Sequence, residues 1–345
     1  MKRPKHTWLT AGLVLLVGIG GAGLAGYRLM GPQVVDSGGI VVQIPPGSGA
    51  GEMARLLHAR GVIRSSVALR LVAWLSGRSR HLQAGEYLFQ GTVTVGDVLD
   101  RLESGDVLLH TVTIPEGLTL PETVSRLARA GLDIEGELAL EVKDILRLKD
   151  LDPEAPDLEG YLFPDTYQFP LGVSAKKIVD RMVDRFREVK RELQAEGGKV
   201  PEGVEGVRRW VTLASLVEKE ARESEERWRV ASVFINRLQL GMPLQCDPTV
   251  IYALRRAGKD LEAPLSKMLS FDDPYNTYRY PGLPPGPIAN PGRSALRAAL
   301  HPAATQDLYF VADGRGHHRF SRSLEEHNRA VRQLREIVGS ARNAP

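Results

Sequence analysis

A single cysteine in 345 residues, Cys246, rules out any disulfide within the chain. If the protein is exported, its fold has to be held by a hydrophobic core, which a chain of this length can supply. Charge imbalance is missing as well. Lys and Arg number 45 against 42 Asp and Glu, a formal +3, and no long block of like charge occurs. Nucleic-acid binding normally needs a dense basic patch, so that class is excluded. Metal-ligand spacing is also lacking: His301, His317, His318 and His327 are scattered, with no H-E-x-x-H or comparable pattern. There is no P-loop and no G-x-S-x-G elbow, and Ser215 falls mid-helix, where a nucleophile elbow is not expected. Cys246 has no adjacent histidine and reads as a buried thiol.

What is present begins at the N-terminus. Trp8 to Tyr27 carries no charge and is about as long as a bilayer-spanning helix. Lys2, Arg3 and Lys5 precede it and only Arg28 follows closely, so the positive-inside rule keeps the N-terminus cytoplasmic and the remainder outside. A cleaved signal peptide is the competing reading, given the small residues from Ala22 to Ala25. Gly18 to Gly23 fits the G-x-G-x-x-G dinucleotide pattern, but it lies inside this apolar run rather than in a βαβ unit, and is discarded.

The remaining composition, 43% hydrophobic and 25% charged, is that of a folded protein with room for two globular units. Ile40 to Ile44 reads as a strand, Pro45-Pro46-Gly47 as a turn and Glu52 to Ala59 as a helix stopped by Gly61. The pattern returns seventy positions on, where Val112, Ile114, Pro115, Gly117, Glu122, Leu127 and Gly131 match Val42, Ile44, Pro45, Gly47, Glu52, Leu57 and Gly61. This is a duplicated βα module, read either as a spacer or as a LysM-like carbohydrate-binding fold. Between the copies, Gly85 to Phe89 reads as a strand and Thr94 to Leu102 as a capped helix. Beyond them come an amphipathic helix (Ala175 to Glu196), a long helical stretch (Val207 to Leu240), a loop with five prolines and three glycines (Asn276 to Gly292), a strand (Leu308 to Ala312) and a last helix (Leu324 to Val338). The fold class expected is α+β: residues 1–7 cytoplasmic, 8–28 a transmembrane anchor, 40–150 the LysM-like duplicated module, and 151–340 a mixed α/β catalytic domain.

The chemistry concentrates between Trp210 and Leu254. On a helical wheel Trp210, Leu213, Ala214, Val217 and Ala221 form an apolar face, with Glu218 flanking it and Glu220 near its other edge. A carboxylate beside an apolar surface is partly desolvated, which raises its pKa, as a general acid at neutral pH requires. The plainer reading is a solvated face, with Glu218 and Arg222 as an i,i+4 ion pair. Farther on, Gln245, Asp247, Tyr275, Asn276, Thr277, Tyr278 and Asn290 offer the amide, hydroxyl and aromatic groups that suit a sugar groove, though the Pro/Gly segment also reads as a surface loop.

Several strings in order carry a resemblance: Glu159 to Tyr167 (EGYLFPDTY), Leu213 to Glu220 (LASLVEKE), Val230 to Leu238 (VASVFINRL), Asp247 to Tyr252 (DPTVIY), Tyr275 to Tyr278 (YNTY) and Gly282 to Ile288 (GLPPGPI). Over nearly the whole chain the sequence resembles the YceG-like family of endolytic murein transglycosylases. The resemblance implies a lyase that cuts the bond between N-acetylmuramic acid and N-acetylglucosamine in peptidoglycan and leaves 1,6-anhydro ends, with no cofactor and no metal. It places the catalytic carboxylate on Glu218, a choice between Glu218 and Glu220 that the wheel leaves open. Glu220, Gln245, Asp247, Tyr275, Asn276, Tyr278 and Asn290 become candidate substrate-binding residues, and Cys246 sits where relatives can carry threonine. The implied setting is the outer side of the cytoplasmic (inner) membrane, reached through the N-terminal helix, where cutting nascent strands terminates their elongation and peptidoglycan synthases are neighbours. Two alternatives stay open: a hydrolytic muramidase using Glu220 or Asp247 as second acid, and a non-catalytic wall-binding or divisome scaffold.

Overall fold

A computed structural model describes residues 30–132, 135–197, 200–221, 223–259, 261–262, 264–314 and 316–342. No helix among the described residues is long and apolar enough to cross a membrane, and the expected anchor at 8–28 lies outside them. The architecture is mixed, of α+β type, with helices around small two-stranded sheets. The chain divides into two compact units. One runs to Thr111 and takes in Gln168–Gly172, and the other comprises Val112–Tyr167 and everything from Val173 on.

In the first unit, residues alternate about strand β1 (Gln33–Ile44), so that Val42 and Ile44 point inward and Val41 and Gln43 outward. Helices α1 (Ala50–Ala59) and α2 (Ser66–Leu75) follow, and the chain returns as β2 (Gly85–Val93), antiparallel to β1, with Val42 opposite Tyr87 and Ile40 opposite Phe89. Helix α3 (Val95–Ser104) starts in a capping box in which Thr94 and Asp97 satisfy each other's backbone amides. Leu57, Leu69, Tyr87, Phe89 and Leu99, all fully buried, form the core. Each such side chain contributes roughly 1.5–3 kcal/mol. This is one strand–helix–helix–strand layer. Its second helix, α2, carries no N-terminal signal beyond the Ser65 cap and was not expected from the sequence.

The second copy of the repeat has the expected local form, strand β3 (Leu109–Thr113), a turn at Pro115–Gly117 and helix α4 (Leu120–Leu127). It does not build a second such layer. Thr111 and Val112 mark the division between the units, and the turn and helix serve the second one. There Ile114 N donates to Asp165 O at 3.0 Å, just before strand β4 (Thr166–Pro170).

The second unit continues through α5 (Glu135–Glu141), α6 (Ala175–Ala195), α7 (Val207–Glu220), α8 (Arg227–Gln239), α9 (Asp247–Arg256), α10 (Leu265–Leu269) and α11 (Arg293–Leu300). The hairpin of β5 (Tyr309–Ala312) and β6 (His318–Ser321) and helix α12 (Leu324–Arg342) end it. Helix α7 is its centre. The wheel gave α7 one apolar face, yet every residue from Trp210 to Val217 is buried. Its two polar members are satisfied within the helix, Thr212 Oγ1 donating to Arg208 O and Ser215 Oγ to Thr212 O. Trp210 Nε1 donates to Leu296 O of α11 at 3.0 Å, and the Trp210 ring lies against Phe186 of α6, which meets Tyr161 edge-on.

The expected long helix from Val207 to Leu240 is two helices. Ala221 and Glu223 are extended, and a short 3₁₀ turn at Ser224–Glu226 leads into α8. The segment from Asn276 to Gly292 is irregular as expected, and only its middle lies at the surface: Arg279 to Pro281 are exposed, whereas Pro287 to Gly292 are buried. Gly160 explains part of this closeness. Its φ is +87°, and a Cβ there would sit 2.6 Å from Pro287 Cβ and 2.9 Å from Val211 Cγ1. The EGYLFPDTY and GLPPGPI strings thus meet over α7.

Candidate active site at the end of helix α7

Helix α7 runs out of apolar sequence at Val217, and the next residue delivers a carboxylate to the edge of the core. The Glu218 side chain is only 5% accessible. Its Oε2 accepts from Gly292 N at 3.0 Å and its Oε1 pairs with Arg227 Nη2 at 2.9 Å. Burial raises its pKa above the ordinary carboxylate value, opposed by the Gly292 amide and Arg227 and assisted by Glu116. The direction agrees with the desolvation expected from the sequence. The expected Arg222 partner lies outside the described residues, and the partner seen is Arg227.

Arg227 reaches Glu218 only because the helix breaks. In a continuous helix a residue nine positions on would lie roughly 13.5 Å farther along and half a turn round. The extended Ala221 and the 3₁₀ turn bring the chain back instead. Arg227 is itself 93% buried by side-chain area and bridges Glu218 to Glu116, whose Oε2 lies 3.3 Å from Nη1. Its Nε is buried without a partner among the described residues. Glu116 has 44% of its side chain exposed and is the solvent-facing member of the trio.

Three segments hold this cluster. The Pro115–Gly117 turn lies against Asn290, with Gly117 N donating to Asn290 O and Asn290 N to Leu118 O. Lys219 Nζ donates to Gly117 O at 3.2 Å. Gly292, at the start of α11, has an ordinary φ of −80°, so its backbone does not demand glycine. A Cβ there would fall 1.8 Å from Glu116 Oε1, so any larger residue would push the partly exposed Glu116 side chain aside.

Glu220 has different surroundings. Two positions along a helix is about 200° of rotation, so Glu218 and Glu220 point to opposite sides. Glu220 accepts from Cys246 Sγ at 3.2 Å, and burial raises its pKa, as does nearby Asp247. Burial and Glu220 push the Cys246 thiol well up, so it stays protonated and is a donor rather than a nucleophile. Glu220 lines a cavity of about 280 Å³ with Gln245, Asp247, Tyr278, Arg237 and His327; Glu218 does not line it.

The remaining candidates separate cleanly. Gln245, Asp247 and Tyr278 border the cavity, the Tyr278 hydroxyl donating to Asp247 Oδ1. Gln245 has φ +52°, the one positive value on a non-glycine among the described residues. Asn276 and Asn290 are fully buried and bonded to the surrounding backbone and, for Asn290, also to the Thr123 hydroxyl. Asn276 Nδ2 donates to Leu269 O and Phe271 O, and its Oδ1 accepts from Tyr278 N. Asn290 Nδ2 donates to Leu118 O and Thr123 Oγ1, and its Oδ1 accepts from Leu162 N. Tyr275 is buried against Tyr252, with Arg256 over its ring. The structure therefore places these three among the groups that hold the loop. Arg227, Glu116 and Gly292 were not singled out by the sequence. Only one signal pointed to any of them: in the repeat, Glu116 stands where the first copy has Pro46.

A model of the YceG-like family matches residues 42–333. An endolytic murein transglycosylase of Bacillus subtilis is 37% identical, the match covering 90% of this chain and 89% of that protein. Another from Streptococcus pneumoniae is 28% identical over 92% of this chain and 63% of its own length. The 2.6 Å crystal structure of a yceG-like protein from Listeria monocytogenes superimposes with a TM-score of 0.54 at 32% identity, covering 84% of this chain and 98% of that one.

Proposed function

The chain belongs to the YceG-like family, and from that premise we propose that it is an endolytic lytic transglycosylase of peptidoglycan, with Glu218 as its acid/base. The observation that carries the site is a nearly inaccessible carboxylate whose pKa is raised by burial while a backbone amide and a guanidinium fix its two oxygens. Such a group is protonated nearer neutral pH than an ordinary glutamate and is held in one orientation.

Protonated Glu218 donates to the glycosidic oxygen as the bond from C1 of N-acetylmuramic acid breaks. The carboxylate left behind takes the proton of that sugar's C6 hydroxyl, whose oxygen closes on C1. A 1,6-anhydro end forms, no water is consumed, and Glu218 is returned protonated. Arg227 stabilises the carboxylate stage, and Gly292 N holds Oε2 throughout. An ordinary glycosidase needs a second carboxylate to activate water or attack C1, whereas one residue suffices for this cycle.

The setting follows the sequence. The uncharged run from Trp8 to Tyr27 and the basic residues before it support a single-pass anchor in the cytoplasmic membrane with the catalytic unit outside. From there the enzyme reaches nascent strands, terminates their elongation and works beside peptidoglycan synthases. The strand–helix–helix–strand form of the first unit supports its reading as a LysM-like glycan-holding module.

Mass spectrometry of purified glycan strands digested by wild type and Glu218→Gln tests the reading. Anhydro ends from the wild type alone are expected. Reducing ends would make the enzyme a hydrolase, and intact strands with both proteins would leave a wall-binding scaffold.

A further inference from the structure

The cavity beside Glu220 contains a buried cation with no ion-pair partner among the described residues. Arg237 is 8% exposed. Its Nε donates to Leu308 O at 2.6 Å, and its Nη1 to Leu244 O at 2.8 Å and Pro243 O at 3.2 Å. These are neutral carbonyls. Nη2 donates to none of the described residues, and no carboxylate among them lies within ion-pair distance of the guanidinium. An unpaired buried charge is costly, and burial pushes the Arg237 pKa down accordingly. The ring of Tyr309 beneath it compensates only in part, its centroid 5.0 Å from Cζ.

A second orphan adjoins it. His327 Nδ1 is buried with no partner among the described residues, and its ring stacks on Tyr309 at 5.2 Å. Burial and Arg237 push its pKa down, so the imidazole is neutral and can present an N–H to an acceptor. Gln245, at the rim, keeps its left-handed backbone, a strain of the kind that gathers at ligand sites. The same cavity holds Glu220 and Asp247. They repel a singly charged carboxylate less than a doubly charged phosphate, and the planar edge of a carboxylate matches that of the guanidinium. At about 280 Å³ the space takes a terminal residue and its carboxylate, not a disaccharide.

We propose that this cavity is a subsite for a free carboxylate of the short peptide borne by the muramic sugar, with Arg237 as its charge partner and His327 as a second donor. The assignment rests on the reading of the chain as a peptidoglycan enzyme. It makes recognition of the strand depend on the peptide as well as the sugars, through a cavity on the opposite side of α7 from the acid/base.

The full chain in detergent tests it by calorimetry, with N-acetylmuramyl tetrapeptide as one probe and the same compound with its carboxylates converted to carboxamides as the other. The free acid is expected to bind at least tenfold tighter. Arg237→Gln and, separately, His327→Ala should narrow that ratio, while Glu218→Gln should keep it. Equal binding of the two probes by wild type overturns the subsite without recourse to any variant. So does a ratio that survives in both cavity variants. Cleavage of whole strands separates the two proposals. If the wild type cuts no strand yet discriminates between the probes, the enzymatic reading fails and the subsite stands. If it cuts strands but does not discriminate, the subsite alone fails.

Discussion

Glu218 and Glu220 are two residues apart on one helix, both have pKa values raised by burial, and their neighbours make them different groups. Glu218 is held by an amide and a guanidinium, both of which favour its charged form against the desolvation that disfavours it. Glu220 is held by a thiol and looks into a cavity with another acid beside it. Burial is opposed at both sites, by the Gly292 amide and Arg227 at Glu218 and by the Cys246 hydrogen bond and His318 at Glu220. Burial alone therefore does not distinguish a catalytic carboxylate; the kind of donor does, since an amide and a contacting guanidinium fix both oxygens of Glu218 for proton transfer whereas a weak thiol donor meets Glu220.

The largest effect that would break this comparison is at Glu218 itself. Glu218→Gln keeps the shape and should lower strand cleavage by about 10²–10⁴-fold, the usual contribution of a positioned acid/base. Glu220→Gln should cost far less on strands stripped of peptide. Rates of anhydro-end formation check both, and equal losses would erase the distinction. Next comes Arg227→Gln. It removes an influence that holds the Glu218 pKa down, so the pKa rises further. The alkaline limb of the pH–rate profile, where the acid loses its proton, should move up. An unmoved limb would mean that Arg227 does not act on the acid.

Glu159 sharpens the comparison from outside the site. It is buried, with pKa raised to about 8 from 4.5, and it accepts from Leu120 N at the start of α4 and from Tyr252. The folded protein therefore holds a proton on it that the unfolded chain releases near pH 4.5. The stability it contributes is complete below that pH and is lost at ~1.4 kcal/mol per pH unit as the pH rises toward 8. Glu159→Gln should flatten the fall of Tm between pH 5 and 8 while leaving the pH profile of cleavage in place. The smallest effect is expected for Cys246→Ser, which keeps a donor to Glu220 and should change stability by under about 1 kcal/mol, measured by urea unfolding.

Much of this was legible in residues close together in sequence. The Thr94–Asp97 capping box, the span of α6 and the strand–turn–helix form of both repeat copies follow from neighbours within a few positions. The buried character of Glu218 was legible from its apolar flank. Its partners were not. Gly292 and Glu116 are 74 and 102 positions away, and no local periodicity records such a contact. The Val207–Leu240 stretch looked continuous because Glu, Arg and Ala favour helix wherever packing does not intervene. Here the chain turns at Ala221, and the Arg227 ion pair stands with that turn. Asn276 and Asn290 show a second kind of gap. Amides in a Pro/Gly segment suggest ligand binding, but a buried irregular backbone has its own carbonyls and amides to satisfy, and both side chains hydrogen-bond to it, which the sequence does not record.

Gly292 has a consequence for heredity rather than for chemistry. An alanine at 292 would place its Cβ where the Glu116 side chain lies, 1.8 Å from Oε1, so the two positions are not free to vary independently. Glu116 is partly exposed and can swing aside, so alanine at 292 acts by displacing Glu116 from Arg227 rather than by breaking the backbone. It should therefore mimic the shortening of Glu116 to alanine, and the two changes together should cost little more than either alone. A lineage that drifts at either position loses the same contact, and the turn of the second repeat copy then keeps no reason to hold the other residue.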